Sequence, residues 1–229
     1  MRIRVSGVAV WLGLVGVAGA QTGGANGRLV FQMDHSGTLL TSYVLTVSED
    51  GRSIYAANYP AERPRYSPYQ AASEPAPDTQ VSIPVMLSPA TTRMLFERVR
   101  ATNGLQGCES ALKNIAKTGI KTLSLTSIEG TVKCSWNFSE DRNVAVVEKA
   151  FEAIAFTLDE GRRLEQKHKY DRLALDLEVQ LLVDNVKRGS AIELETISPV
   201  LRGIADDSQV LERVRAKAVK LLAEGGMER

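Results

Sequence analysis

Up to Phe138 the apolar residues of this chain largely alternate with polar ones, and from Val144 onward they recur at every third or fourth position. Alternation marks a half-buried strand, because successive side chains of a strand point to opposite faces, whereas a spacing of three and four marks one face of a helix. One such switch, with strands gathered before it and helices after it, predicts an α+β protein. The expected architecture is an N-terminal antiparallel β-rich unit with one or two short helices and a disulfide-stapled hairpin, followed by a C-terminal helical segment. The expected division is an α+β domain over 21–158 and a helical region over 159–229. The 229-residue chain is long enough to bury a core either as one large domain or as two small ones.

"RLVFQM" and "TLLTSYVLTV" are rich in β-branched and aromatic residues, and "DHSG" between them is a turn. "SEDG" then leads into "RSIYAA", so three strands read as a meander. "QVSIPVML" is a fourth strand, which Pro84 confines to an edge or a bulge because proline has no N–H for the ladder. "SPATTRMLFERVRATNG" is a helix, with Ser88 at the N-cap, Pro89 in the first turn, Gly104 past its end, and Leu95 and Val99 inward. "CESALKNIAK" forms a short helical pattern ending near Gly119. "IKTLSLTS" and "TVKCSWNF" pair through "IEGT", where Gly130 can take the positive φ such turns require. Val132, Cys134, Trp136 and Phe138 share one side of the second strand and are expected to face the core.

The start of the chain predicts its compartment. Arg2 and Arg4 precede the apolar run "VSGVAVWLGLVGV", which ends in Ala18-Gly19-Ala20. A basic start, an apolar middle shorter than the roughly twenty residues a membrane span needs, and an A-x-A exit describe a secretory signal peptide over 1–20. No cysteine lies near the cleavage point to carry a lipid, and no later stretch is apolar enough to hold the mature chain in a membrane. An exported protein, periplasmic or extracellular, is expected. The whole chain has 28 Lys plus Arg against 27 Asp plus Glu. Losing Arg2 and Arg4 leaves one more acid than base, so charge gives no reason to expect nucleic acid or anionic lipid as partner.

In that compartment the only two cysteines, Cys108 and Cys134, are expected to form a structural disulfide. They lack CxxC spacing, and with His35 and His168 distant in sequence they do not make up a four-ligand zinc set, so no metal site is expected. The bridge would tie the short helix that opens at Cys108 to the hairpin that follows it.

Beyond Ser139 the pattern is helical. Val144, Val147, Phe151, Ile154 and Leu158 form one stripe, with Ser139 or Asp141 as cap. The charged run "EQKHK" reads as a solvated helix surface or a linker. "KYDRLALDLEVQLLVDNVKRG" carries two stripes, Tyr170-Leu173-Leu177-Leu181 and Leu175-Val179-Leu182-Val186, so this helix is expected to sit between partners. Ser190 and Glu193 have the spacing of a capping box, and Pro199 limits the helix after it. A last helix places Val210, Leu211, Val214, Ala218, Leu221 and Leu222 on one side and ends at Gly225-Gly226. The C-terminal helices close on themselves or bury their surplus face against a second copy.

Five of the eight prolines, and Tyr59, Tyr66 and Tyr69 among six tyrosines, fall in a loop over 57–80. Tyrosines on a stiff, proline-rich backbone make rigid amphipathic contacts, so these three are the candidate binding residues; the alternative is that their rings cover the sheet. Catalytic signals are sparse. Asp34-His35-Ser36 holds the residue types of a hydrolase triad, but contiguous residues cannot converge as one. There is no nucleophile elbow, zincin motif, phosphate loop or dinucleotide fingerprint, and no cofactor is implied. The sequence therefore favours an exported non-catalytic module that binds a protein or an envelope component. The alternative is an envelope-polymer hydrolase with a site assembled from scattered carboxylates and His35.

Overall fold

The computed structural model describes residues 27–34, 42–59, 80–102, 105, 108 and 119–226. The signal peptide expected over 1–20, residues 35–37 of the turn expected at "DHSG" with His35, the segment 60–79 with Tyr66 and Tyr69, Gly104 and the short helix expected after Cys108 lie outside the described residues.

Six strands form one antiparallel sheet: β1 (Arg28–Asp34), β2 (Ser42–Ser48), β3 (Arg52–Asn58), β4 (Gln80–Met86), β5 (Ile120–Ser127) and β6 (Gly130–Trp136), in the order β4-β3-β2-β1-β5-β6. The first four make the meander, extended by the fourth strand. The chain then crosses from the β4 edge to the far side of β1, and α1 (Pro89–Arg100) lies within that crossing. Pro84 sits on β4, an edge strand, opposite Ile54 of β3 and with no described strand on its other side, the kind of position at which a residue without an N–H is tolerated. Gly130 takes φ 127° at the β5–β6 turn.

The alternation works as the sequence predicts. Leu29, Phe31 and Met33 of β1, Tyr43, Leu45 and Val47 of β2, and Tyr55 and Ala57 of β3 are buried on one face. Helices α1 and α2 (Arg142–Tyr170) cover that face through Leu95, Phe96, Val99, Val147, Phe151 and Ile154. Phe151 stacks on Phe31 with ring centroids 4.8 Å apart. The opposite face carries hydroxyls paired across strands, Thr122 with Ser135 at 2.8 Å and Thr126 with Thr131 at 3.0 Å. Cys108 is buried and bridged to Cys134 with their Cα atoms 6.3 Å apart, so the disulfide ties the chain ahead of β5 to the outermost strand.

Helix α2 is capped by Asp141, whose Oδ1 accepts from the backbone N–H groups of Asn143 (2.7 Å) and Val144 (3.1 Å). It runs unbroken for 29 residues, roughly 44 Å, straight through the expected 158/159 division, and "EQKHK" belongs to its final turns. Two buried clusters nevertheless part along it. The first takes α2 residues as far as Leu158; the second begins at Leu164 and includes α3 (Leu175–Lys187), a 3₁₀ turn (Leu194–Ile197), α4 (Ser198–Asp206) and α5 (Glu212–Glu224). One rigid helix thus serves both cores.

Several expectations are corrected. Val132 and Phe138 are exposed, because β6 is a sheet edge that ends at Trp136 and α2 covers only that end of it. Leu211 is exposed because α5 begins one residue after it. The helix expected from Tyr170 starts at Leu175 after a turn in which Asp171 Oδ1 accepts from the Ala174 N–H. Of its two stripes, Leu175, Val179 and Leu182 are buried, but Tyr170, Leu173, Leu177 and Leu181 are not.

The Ser190–Glu193 capping box does not form: Glu193 makes no cap bond to its own turn. Its carboxylate reaches back 105 residues and accepts from the Ser88 N–H (2.8 Å), while its other oxygen accepts from the Ser88 hydroxyl (2.7 Å) and the Thr91 hydroxyl. The first turn of α1 has no acid of its own, so Glu193 supplies the anion that the positive end of that helix favours. Glu193 holds φ 60°, in the left-handed region, and this tertiary contact keeps it there. Glu193→Ala is expected to cost about 1–2 kcal/mol in chemical denaturation, since it removes the acceptor of three half-buried donors at the start of α1; a loss below about 0.3 kcal/mol, set against that range, would mean that Ser88 suffices as the cap.

Candidate functional site

Of the three candidate binding tyrosines, Tyr59 can be placed. Its ring packs against the sheet–helix core, its hydroxyl donates to Asp159 Oδ1 at 2.5 Å, and the Arg162 guanidinium lies 4.2 Å over the ring centroid. Burial, followed by the Asp159 charge, pushes its phenol up to about 12, so it remains a neutral donor. Tyr59 therefore anchors the point at which the chain leaves β3 against α2. Asp34 ends β1 and accepts from Gln32 Nε2. His168, expected among lysines, pairs through Nε2 with Asp207 Oδ2 at 2.8 Å, with Arg172 3.2 Å from the same oxygen; this contact ties the end of α2 to the residue that caps α4.

Carboxylates come together in two places, one half-buried and one buried. On the inner face of the sheet, Lys121 is buried and its ammonium lies 2.7 Å from Glu148 Oε1, while Trp136 Nε1–H donates to Glu148 Oε2 at 2.7 Å. Glu152, one turn along, has its carboxyl pushed up by burial and then by the Glu148 charge. The second place is the α2–α3 contact. Glu160 is 1% exposed and Glu178 is 8% exposed, and both are held by Arg163, at 3.3 Å and 2.9 Å. Neither Glu160 oxygen has a hydrogen-bond donor in place. Burial pushes the Glu160 carboxyl up to about 8; Glu178 and Asp159 add to the shift and Arg163 opposes it. Glu160 and Glu178 are enclosed by packing, whereas Glu148 is half-buried and Glu152 keeps part of its side chain in solvent; among the described residues no three His, Cys, Asp or Glu side chains are grouped to hold a metal ion.

The sequence carries a signal for one of these buried charges. Glu178 lies three residues after Leu175 and four before Leu182, in the stripe expected to be buried. An acid at such a position is expensive to desolvate and calls for a partner.

Two surfaces stand open. A cleft of about 650 Å³ lies between α1 and the β2–β3 turn, floored by Met86, Leu87 and Phe96 and rimmed by Glu49, Arg93, Glu97 and Arg100. The other surrounds the α2–α3 junction: Tyr170, the last residue of α2, is 38% exposed and Leu173, in the turn after it, 86%, followed on α3 by Leu177 at 66% and Leu181 at 36%. Isolated exposed leucines are ordinary on protein surfaces; four large exposed apolar residues within so short a stretch of chain are the pattern of a contact surface. No helix among the described residues is long and apolar enough to cross a membrane. Compared with known protein families and with curated proteins, the chain matches none.

Proposed function

We propose that this protein is an exported, non-catalytic module that binds a protein or cell-envelope component through the outer face of α3. The observation that carries this reading is the exposed apolar pair Leu177 and Leu181 on α3, preceded by exposed Leu173 in the turn and Tyr170 at the end of α2, on a helix whose opposite side is locked into the C-terminal core. A rigid helix presenting residues at such spacing suits helix-in-groove recognition. A disulfide and the leader at the start of the chain agree with export.

The test changes Leu173 and Leu177 together to Ser. Both side chains are mostly exposed, so stability should move by no more than about 0.5 kcal/mol. Capture of envelope components by the immobilised protein should fall at least tenfold. Sedimentation equilibrium on the same pair reports whether the occupant is a second copy: concentration-dependent mass in the wild type should then disappear in the variant. An unchanged set of captured components together with unchanged mass would overturn the α3 reading. Tyr66→Ala with Tyr69→Ala, run in parallel, tests the Pro/Tyr loop as the contact instead.

A further inference from the structure

The α2–α3 contact holds more negative charge than its one guanidinium can balance. Arg163 faces both Glu160 and Glu178. The charges acting on Glu160 are Arg163 and Asp159 from α2 itself and Glu178 from α3. The 3₁₀ turn and α4 also pack on α2, and they carry their charges Glu195, Arg202 and Asp206 at exposed positions; α5 packs on α3, where its Arg213 and Lys217 pair with Asp176 and its Arg215 is half-buried. Two buried carboxylates sharing one counter-charge cannot both ionise cheaply; one proton on the pair leaves a single negative charge, which Arg163 matches.

We propose that Glu160, Glu178 and Arg163 form a proton-responsive latch between α2 and α3, closed while the pair holds one proton and loosened when that proton leaves. Opening exposes the pair to water, where its one proton is released in the ordinary carboxyl range. The closed form therefore binds one proton more than the open form from about pH 5 to about pH 8. The closed state is favoured at the acid end of this window and loses ground as pH rises through it; above the window this group adds no further loss. An exported protein meets the pH of its surroundings, and α3 carries the apolar face assigned above to binding, so the latch would couple that face to external pH. This coupling rests on the α3 reading; the latch itself does not.

Hydrogen exchange on the full-length mature protein tests it. After correction for intrinsic exchange rates, protection of the α3 amides should fall by up to about tenfold per pH unit across the window, following the linkage of one proton. Amides of β1 and β2 should hold their protection. In Glu160→Gln, and independently in Glu178→Gln should the first variant fold poorly, Arg163 faces a single carboxylate and the α3 slope should flatten. A wild-type α3 slope near zero, or the same slope in a folded variant, overturns the latch. Parallel loss in β1 and β2 also overturns it, because the proton would then be linked to global unfolding. The Leu173 and Leu177 variant leaves the latch intact, so failure of one proposal is read separately from failure of the other.

Discussion

Gly161→Val is expected to destabilise the protein by about 3 kcal/mol or more, and Gly161→Ala by about 1–3 kcal/mol, in the range for overfilling a packed core. A Cβ at Gly161 would lie 2.3 Å from Ile197 Cγ2 and 3.0 Å from Ile197 Cβ. Ile197 is buried within the 3₁₀ turn, and Leu194 and Leu201 on either side of it are also buried, so it has little room to retreat. The clash is specific enough to be relieved. Ile197→Ala alone should cost about 2–4 kcal/mol by opening a cavity. Combined with Gly161→Ala, it should cost at least about 1 kcal/mol less than the sum, as contacting pairs do in a double-mutant cycle. Urea midpoints with unchanged m-values provide the measurement. Strict additivity would show that α2 and the 3₁₀ turn do not approach at this point.

Replacing both Cys108 and Cys134 with Ala is expected to lower stability by about 3–4 kcal/mol, the chain-entropy value for a loop of this size. The bridge closes a sequence separation of 26 residues and fastens β6, an edge strand whose only sheet partner is β5. Without it the hairpin end should fray first, so exchange protection should drop more in β5 and β6 than in β2 and β3. The intact protein should resist alkylation and gain the mass of two protons on reduction. Two alkylatable thiols in the folded protein purified without reductant would refute the pairing, and equal loss of protection in all strands would refute the local role given to it.

Strand and helix placement was largely legible because both depend on the spacing of apolar residues within a short window. The β1–β3 meander, the edge position forced by Pro84, the hairpin turn at Gly130, and the caps at Ser88 and Asp141 are local chemistry, and they stand where their sequences put them. Cys108 and Cys134 were assigned by elimination, since no other cysteine competes. The errors came where period or spacing was extended beyond local reach. Val132 and Phe138 keep the alternation of a core face, but no helix lies over that part of the edge strand. Ser190 and Glu193 have capping-box spacing, yet Glu193 is held by donors on a helix that ends nearly a hundred residues earlier.

The candidate site divides in the same way. That α3 has two apolar stripes can be read from its sequence; which one is covered cannot, because each looks equally apolar until α2, α4 and α5 are in place. The buried charges at Glu160 and Glu178 are visible only as acids on a helix, and it takes the α2–α3 contact to bring them to one arginine. By itself the sequence determined the order and kind of the described elements and the disulfide, since each depends on residues near one another or on a residue type with a single possible partner. Tertiary structure alone decided which apolar face stays open and which carboxylates lose their water, because burial belongs to the neighbours a residue acquires on folding, and those come from distant parts of the chain.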